Sequence, residues 1–186
     1  ASDVYKRQNY RMARETLLDR VPIPEENIYR IQGELPPEIA VERYRDKLST
    51  FFNTNSSDHP VFDLILLGLN VDGHIASLFP HTDLLSEPGV DWIASTYAPR
   101  LNSWRITLTP HTLNQARHIA FLVFGKKKAE IIQQVFDGPH DPYRYPAQLV
   151  HPKNGKVTWL LDEAAVKLLK EENEIMQNQA AGNITL

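Results

Sequence analysis

Val61-Phe62-Asp63-Leu64-Ile65-Leu66-Leu67-Gly68-Leu69 is a nearly continuous apolar run with a single charge. Apolar runs of this length, closed by a turn, are typical of central strands buried on both faces of a parallel sheet. A turn is expected at 70–73 and a short helix around 75–79. His118–Gly125 (His-Ile-Ala-Phe-Leu-Val-Phe-Gly) is a second such run, leading into a helix with Ala129, Ile132, Val135 and Phe136 on one face. Lys156–Leu161 is a third strand, after which Asp162 can cap a helix with Ala165, Leu168 and Leu169 as its buried stripe. Strands alternating with helices predict an α/β architecture with a largely parallel sheet.

Working outward, residues 27–32 are predicted as a short strand. Pro36 and Pro37 then open a helix with Ala40, Tyr44, Leu48, Phe51 and Phe52 close to one face. Residues 53–60 form a polar loop. Trp92–Tyr97 and Arg105–Thr109 are predicted as two further strands, and 137–145 as a Pro- and Gly-containing loop. From about Gln177 the chain is polar and is expected to fray. With no repeat, low-complexity block or strong linker, residues 1–186 are read as one domain.

The chain has 186 residues, enough for one substantial core, with 42% hydrophobic and 23% charged residues. A net charge of −3 argues against an electrostatic nucleic-acid binder and leaves room for a local anion pocket. There is no cysteine, which removes disulfides, thiolate catalysis and cysteine-ligated zinc and fits a reducing, cytoplasmic setting. No apolar run approaches the ~20 residues that span a bilayer. No signal peptide is visible, the first residue is Ala, and the sequons at Asn55 and Asn183 are read as chance. Seven histidines show no metal-ligand spacing, so no metal is expected.

Chemistry concentrates in Gly68-Leu69-Asn70-Val71-Asp72-Gly73-His74-Ile75-Ala76-Ser77-Leu78-Phe79-Pro80. It follows the carboxyl end of the strongest strand, where open α/β sheets bind ligands. A helix N-terminus there would offer N–H groups to an anion or oxyanion. Gly73 permits a tight turn, and Asn70 tolerates positive φ. His74 is suited to general base work, with Asp72 orienting its ring or holding the turn. By spacing alone, an ordinary Asp-Gly turn carrying a surface histidine is equally compatible.

Asp72-Gly73-His74-Ile75-Ala76-Ser77-Leu78-Phe79-Pro80 closely resembles the Gly-x-Gly-x-Asp-Gly-His-x-Ala-Ser-Leu-Phe-Pro signature of the 6-phosphogluconolactonase family. Arg105-Ile-Thr-Leu-Thr109 with Leu113-Asn114, Phe124-Gly125-x-x-Lys128-Ala129 and Val157–Ala165 resemble other family segments in the right order. So does Asn9-Tyr10-Arg11-Met12-Ala13 with Val21-Pro22-Ile23-Pro24. The likeness covers about residues 9–170. Asn70 departs from it, standing where the family usually has Gly; the turn is expected to survive.

The resemblance implies a Rossmann-like, mostly parallel sheet flanked by helices, of the NagB/RpiA/CoA transferase type. It also implies hydrolysis of 6-phospho-D-glucono-1,5-lactone without metal or cofactor. His74 then corresponds to the base that activates water, with Asp72 beside it. Gly73, Asn70, Arg105, Lys128 and Asn9 fall at substrate-binding positions, Arg105 and Lys128 being cations for the phosphate. Lys126 and Lys127 are read as solvated, and Arg105 could equally form a surface ion pair. Trp92, Trp104 and Trp159 are read as packing residues. His81, His111, His118, His140 and His151 are read as scaffold or surface. The implied partner is a small sugar-phosphate lactone, with no nucleic acid or membrane, and the chain a monomer or weak homo-oligomer.

The family normally begins with a strand, a phosphate loop, a helix and a strand ending in Asp-Glu-Arg, and the matching segment here starts only at Asn9. Residues 1–8 are therefore expected to be a non-native tail on an amino-terminally truncated domain lacking its first strands. Such a chain is expected to be weakly active or inactive and prone to aggregate. Two alternatives are a glucosamine-6-phosphate deaminase, which shares Asp-Gly-His-Ile-Ala but typically continues Phe-Asn-Glu-Pro, and an inactive sugar-phosphate-binding fragment.

Overall fold

Each predicted apolar run becomes a strand of one parallel sheet. The computed structural model describes residues 8–54, 59–86, 91–169 and 184–185. Strand β1 (Ile65–Leu67) pairs in parallel with β4 (His118–Val123), β4 with β5 (Lys156–Leu161), and β5 with β6 (Ile184–Thr185). The order is β1-β4-β5-β6. Two of the residues expected to fray thus lie against β5. The other two predicted strands, β2 (Ile93–Ala98) and β3 (Ser103–Leu108), form a separate antiparallel pair.

One face of the sheet carries the core. Ile65, Leu67, Ile119, Phe121, Val123, Trp159 and Leu161 are buried there with Ile131 and Ile132 of helix α5 (Ala129–Phe136). Phe121 and Trp159 lie stacked, 3.7 Å apart, and Phe136 meets Trp159 edge-on. The expectation that 61–69 is buried on both faces is corrected. Side chains alternate along a strand, and Leu64 and Leu66 are 53% and 57% exposed on the side away from α5. Leu122 and Phe124 share that exposed side. A continuous apolar run therefore does not by itself establish cover on both faces.

Helix α1 (Gln8–Thr16) precedes α2 (Pro37–Phe52), which starts at the proline as expected and ends at Asn53 in the left-handed region (φ 50). There Thr54 N–H reaches back to Ser49 O, a Schellman-type closure. Leu48 of α2 packs with Trp92 and Ile93 of the hairpin, with Tyr44, Phe52 and Phe62 around them. Residues 28–32 do not form the predicted strand. Their backbone groups bond locally, Gly33 N–H to Ile31 O and Leu35 N–H to Gln32 O, and without a ladder partner an extended segment is not a strand.

Three more expectations are corrected. Residues 75–79 form a tight turn in place of a helix, Leu78 N–H bonding to Ile75 O at 2.8 Å. Ile75 and Leu78 are both fully buried, Ala76 takes φ 48, and Pro80 keeps the residue before it out of helical geometry. The first helix after the turn is the single-turn α3 (Asp83–Ser86). The closing helix α6 (Glu163–Val166) is also one turn. Ala165 is buried and Leu169 packs on the core, but Leu168 falls beyond the helix and is exposed. Trp92 and Trp159 are packing residues, whereas Trp104 is 53% exposed on the hairpin.

Buried threonines tie the hairpin to α4 (Pro110–Leu113). Thr109 Oγ1 accepts the Thr112 N–H and donates to Asp91 O, and Thr112 Oγ1 donates to Trp92 O. Beside them the rings of His59 and His111 lie 4.1 Å apart, and His59 Nδ1 and His111 Nε2 are buried without a hydrogen-bond partner among the described residues. Burial, and then the neighbouring His59, push the His111 imidazole below its ordinary 6.5. The folded chain thus binds this proton less readily than the unfolded chain. The stability that His111 contributes is present above its ordinary value and is lost as the pH falls through the lowered one. The melting temperature is expected to drop on acidification from pH 7 to pH 5, and less steeply in His111→Gln; parallel slopes in a thermal-melt series would remove His111 from the account.

Candidate functional site

Parallel pairing puts the carboxyl ends of β1, β4 and β5 at one end of the sheet, and the chemistry-bearing loops gather there. The turn after β1 is closed by two backbone hydrogen bonds, Gly73 N–H to Asn70 O and Asn70 N–H to His74 O, each 3.0 Å. Gly73 is the pivot. Its φ is +87, and an added Cβ would lie 3.2 Å from Tyr145 Cδ1 and 3.3 Å from both Tyr145 Cα and Ile131 Cδ1. Glycine satisfies both the conformation and the space. Ala147 N–H holds the Gly73 carbonyl at 3.3 Å.

This turn brings three polar side chains together. His74 Nδ1 lies 2.7 Å from Asp72 Oδ1, and His74 Nε2 lies 2.8 Å from Asn70 Nδ2. An ionised carboxylate only accepts hydrogen bonds, so Asp72 places the ring proton on Nδ1. Nε2 then carries the lone pair, with the Asn70 amide N–H donating to it. Both partners of the pair are partly shielded, the His74 side chain 18% and the Asp72 side chain 26% exposed. The Phe79 ring packs against the imidazole at 4.6 Å, and Thr107 Oγ1 of β3 accepts the Ser77 N–H at 3.2 Å.

The left-handed tolerance expected of Asn70 is not used: Asn70 is not among the residues with positive φ, and in this segment only Gly73 and Ala76 are. The expected dipole of a helix at 75–79 is likewise absent, because that segment is a turn.

The other candidates divide. Lys128 closes the short turn after β4 and is half-buried, its Nζ donating to Leu69 O at 2.6 Å, so it reaches the β1 turn directly. Lys126 and Lys127 are exposed. Arg105 lies two residues before Thr107 on β3 and so on the same face; it is half-buried and forms no ion pair with the described residues. Asn9 lies exposed in α1, and no hydrogen bond brings it to the turn among the described residues. Asp162 caps α6 as expected, accepting the Ala165 N–H, and also accepts the Gly125 N–H, which fixes the loop before Lys128. Asn114 bridges Leu149 O and the His151 N–H. Tyr145 and Ile131, the floor under Gly73, carried no signal in the sequence, because a long-range loop brings Tyr145 there.

A parallel α/β sheet with a histidine–carboxylate pair on the turn beyond β1 has that pair outside the carboxyl ends of the strands, where open α/β sheets generally bind ligands. Residues 3–159 match the family model described as glucosamine-6-phosphate isomerases/6-phosphogluconolactonase. The 6-phosphogluconolactonase of Homo sapiens is 42% identical over 161 residues, 86% of this chain and 61% of that protein. The 6-phosphogluconolactonase of Synechocystis is 41% identical over 163 residues, 87% of this chain and 66% of that protein. A crystal structure described as a devB protein superposes with a TM-score of 0.76 at 36% identity, over 86% of this chain and 66% of that one. The chain belongs to the glucosamine-6-phosphate isomerase/6-phosphogluconolactonase family. It spans less than two thirds of the length of these curated relatives.

Proposed function

We propose that this chain serves the hydrolysis of 6-phospho-D-glucono-1,5-lactone to 6-phosphogluconate, a step of the oxidative pentose phosphate pathway, with His74 as the base. The observation that carries this reading is the Asp72–His74 pair, Nδ1 lying 2.7 Å from Asp72 Oδ1 and Nε2 on the other side of the ring. His74 Nε2 takes a proton from water as the water oxygen attacks the lactone carbonyl carbon. The tetrahedral oxyanion collapses, the bond to the ring oxygen breaks, and the imidazolium returns its proton to that oxygen. Asp72 stabilises the imidazolium meanwhile. Arg105 and Lys128 are the cations for the substrate phosphate; one of the three Lys128 donors is on Leu69 O, which leaves two for an anion. Ser77-Leu78-Phe79-Pro80, with Phe79 against the imidazole, supports lactone hydrolysis over deamination of an amino sugar phosphate. No helix of the described residues is long and apolar enough to cross a membrane. The cysteine-free sequence supports a cytoplasmic setting.

The test is lactone hydrolysis above the spontaneous rate. It is run in this chain and in the chain joined to the preceding segment of a curated relative, each with a His74→Ala control. Turnover that depends on His74 supports the proposal; folded proteins that show none in either form, or that release ammonia from glucosamine 6-phosphate, overturn it. Asp72→Asn keeps an acceptor for Nδ1–H and loses the charge. It is expected to lower kcat about 10- to 100-fold, the range of a hydrogen bond to a charged group, with KM little changed.

A further inference from the structure

We propose that Asn70 is a positioning residue for His74, its amide holding Nε2 as an N–H donor while the ring is neutral and turning to present Oδ1 once the ring is protonated. The inference rests on the base role of His74 proposed above. Three observations carry it. The Asn70 amide lies 2.8 Å from Nε2, the nitrogen that must exchange the proton. Asp72 engages the opposite nitrogen at 2.7 Å, so the two side chains between them fix both ends of one tautomer. The Asn70 backbone needs no left-handed geometry, so the turn does not explain the residue, and its exposed side chain has room to rotate.

An amide suits a group that alternates between base and acid. Its nitrogen only donates and its oxygen only accepts, so a half-turn of the side-chain amide matches either protonation state. Glycine offers neither. An aspartate offers acceptors alone and favours the imidazolium, the form that cannot activate water. When water enters, it displaces the amide from the lone pair, and Asn70 becomes its neighbour and orients it. Phe79 packs on the ring, so Asn70 acts on the position of the proton more than on the place of the ring.

The experiment reads the proton directly. On the chain itself, nitrogen-15 spectra of His74 are compared between wild type and Asn70→Gly, with Asn70→Asp as a second variant close in size. The Asn70 side-chain amide protons are followed as His74 is titrated. In wild type, Nε2 is expected to show the signature of an unprotonated, hydrogen-bonded nitrogen, and the amide protons to move together with His74 protonation. In Asn70→Gly that signature is expected to shift. In whichever form turns over, kcat falls about two- to tenfold, the range of one neutral hydrogen bond, with KM within about twofold. Asn70→Asp falls further at neutral pH.

An unchanged Nε2 signal in Asn70→Gly, or wild-type amide protons indifferent to His74 protonation, overturns the proposal whatever the rates. A shifted signal with unchanged kcat overturns the positioning role. If no form hydrolyses the lactone but the signals shift as described, the lactonase reading fails while the hold of Asn70 on the tautomer stands.

Discussion

In whichever form turns over, His74→Gln is expected to reduce the proposed lactone hydrolysis to near the spontaneous rate, a loss of about 10²- to 10⁴-fold, the usual contribution of a positioned general base. The fold should not change. His74 is partly exposed at the edge of a turn whose closure is made by backbone groups, Gly73 N–H to Asn70 O and Asn70 N–H to His74 O. Its contacts with Asp72, Asn70 and Phe79 are local, and those partners retain solvent. The ring is expected to contribute chemistry more than cohesion, so stability should fall by about 0.5–1.5 kcal/mol, the net of one hydrogen bond, well below the activity loss. Background-subtracted rates with thermal melts on the same preparations check this. An activity loss accompanied by an equally large fall in stability would assign His74 a structural part and remove the argument for it as base.

The turn at 70–73 was readable in sequence because its requirements are local, a glycine and turn-forming side chains after an apolar strand. The role of His74 was not, since spacing alone was equally compatible with an ordinary turn and only the family resemblance singled the histidine out. The strands of the ladder were readable too, since β1 and β4 lie within the two apolar runs and β5 is the predicted strand Lys156–Leu161. The misreadings share one cause, which is that neighbours decide. Ile75 and Leu78 have the i, i+3 spacing of a helix face, yet the same spacing closes a tight turn when both side chains enter the core and Ala76 takes φ 48. That left-handed alanine costs roughly 1–2 kcal/mol, and nothing in its own chemistry announces it. Residues 28–32 have strand-like composition, but a strand is made by its partner, and their hydrogen bonds are local. Asn70 was read through its backbone tolerance, whereas what the fold shows is its side-chain amide 2.8 Å from His74 Nε2. Tyr145 could not have been found, because only the fold carries it beneath Gly73.

Three glycines along the strand ends separate conformation from space, and Gly73→Ala is expected to be the most damaging of their alanine substitutions. At Gly68 a Cβ meets nothing within 4 Å and the backbone is ordinary, so Gly68→Ala should be near neutral. At Gly125 φ is +92 and ψ 151, a region essentially confined to glycine, with the same open space, so Gly125→Ala should cost about 1–3 kcal/mol from conformation alone. Gly73 combines φ +87 with contacts of 3.2 and 3.3 Å to Tyr145 and Ile131. Tyr145 and Ile131 are buried against the core, so overpacking should add about 1–3 kcal/mol. The total of roughly 2–5 kcal/mol is a large share of a domain's stability. The same displacement moves Asp72 and His74, because the Ala147 bond to the Gly73 carbonyl and the closure at Asn70 both run through this residue. Denaturant titrations of the three variants should rank them Gly68, Gly125, Gly73, with activity lost mainly at Gly73. Equal losses at Gly125 and Gly73 would mean that the Tyr145 floor yields and that φ alone sets the cost. In that case a Tyr145→Ala background would leave Gly73→Ala no less damaging; if the floor is rigid, that background should recover the share of the packing loss that comes from the Tyr145 ring, while the contacts with Tyr145 Cα and Ile131 Cδ1 remain.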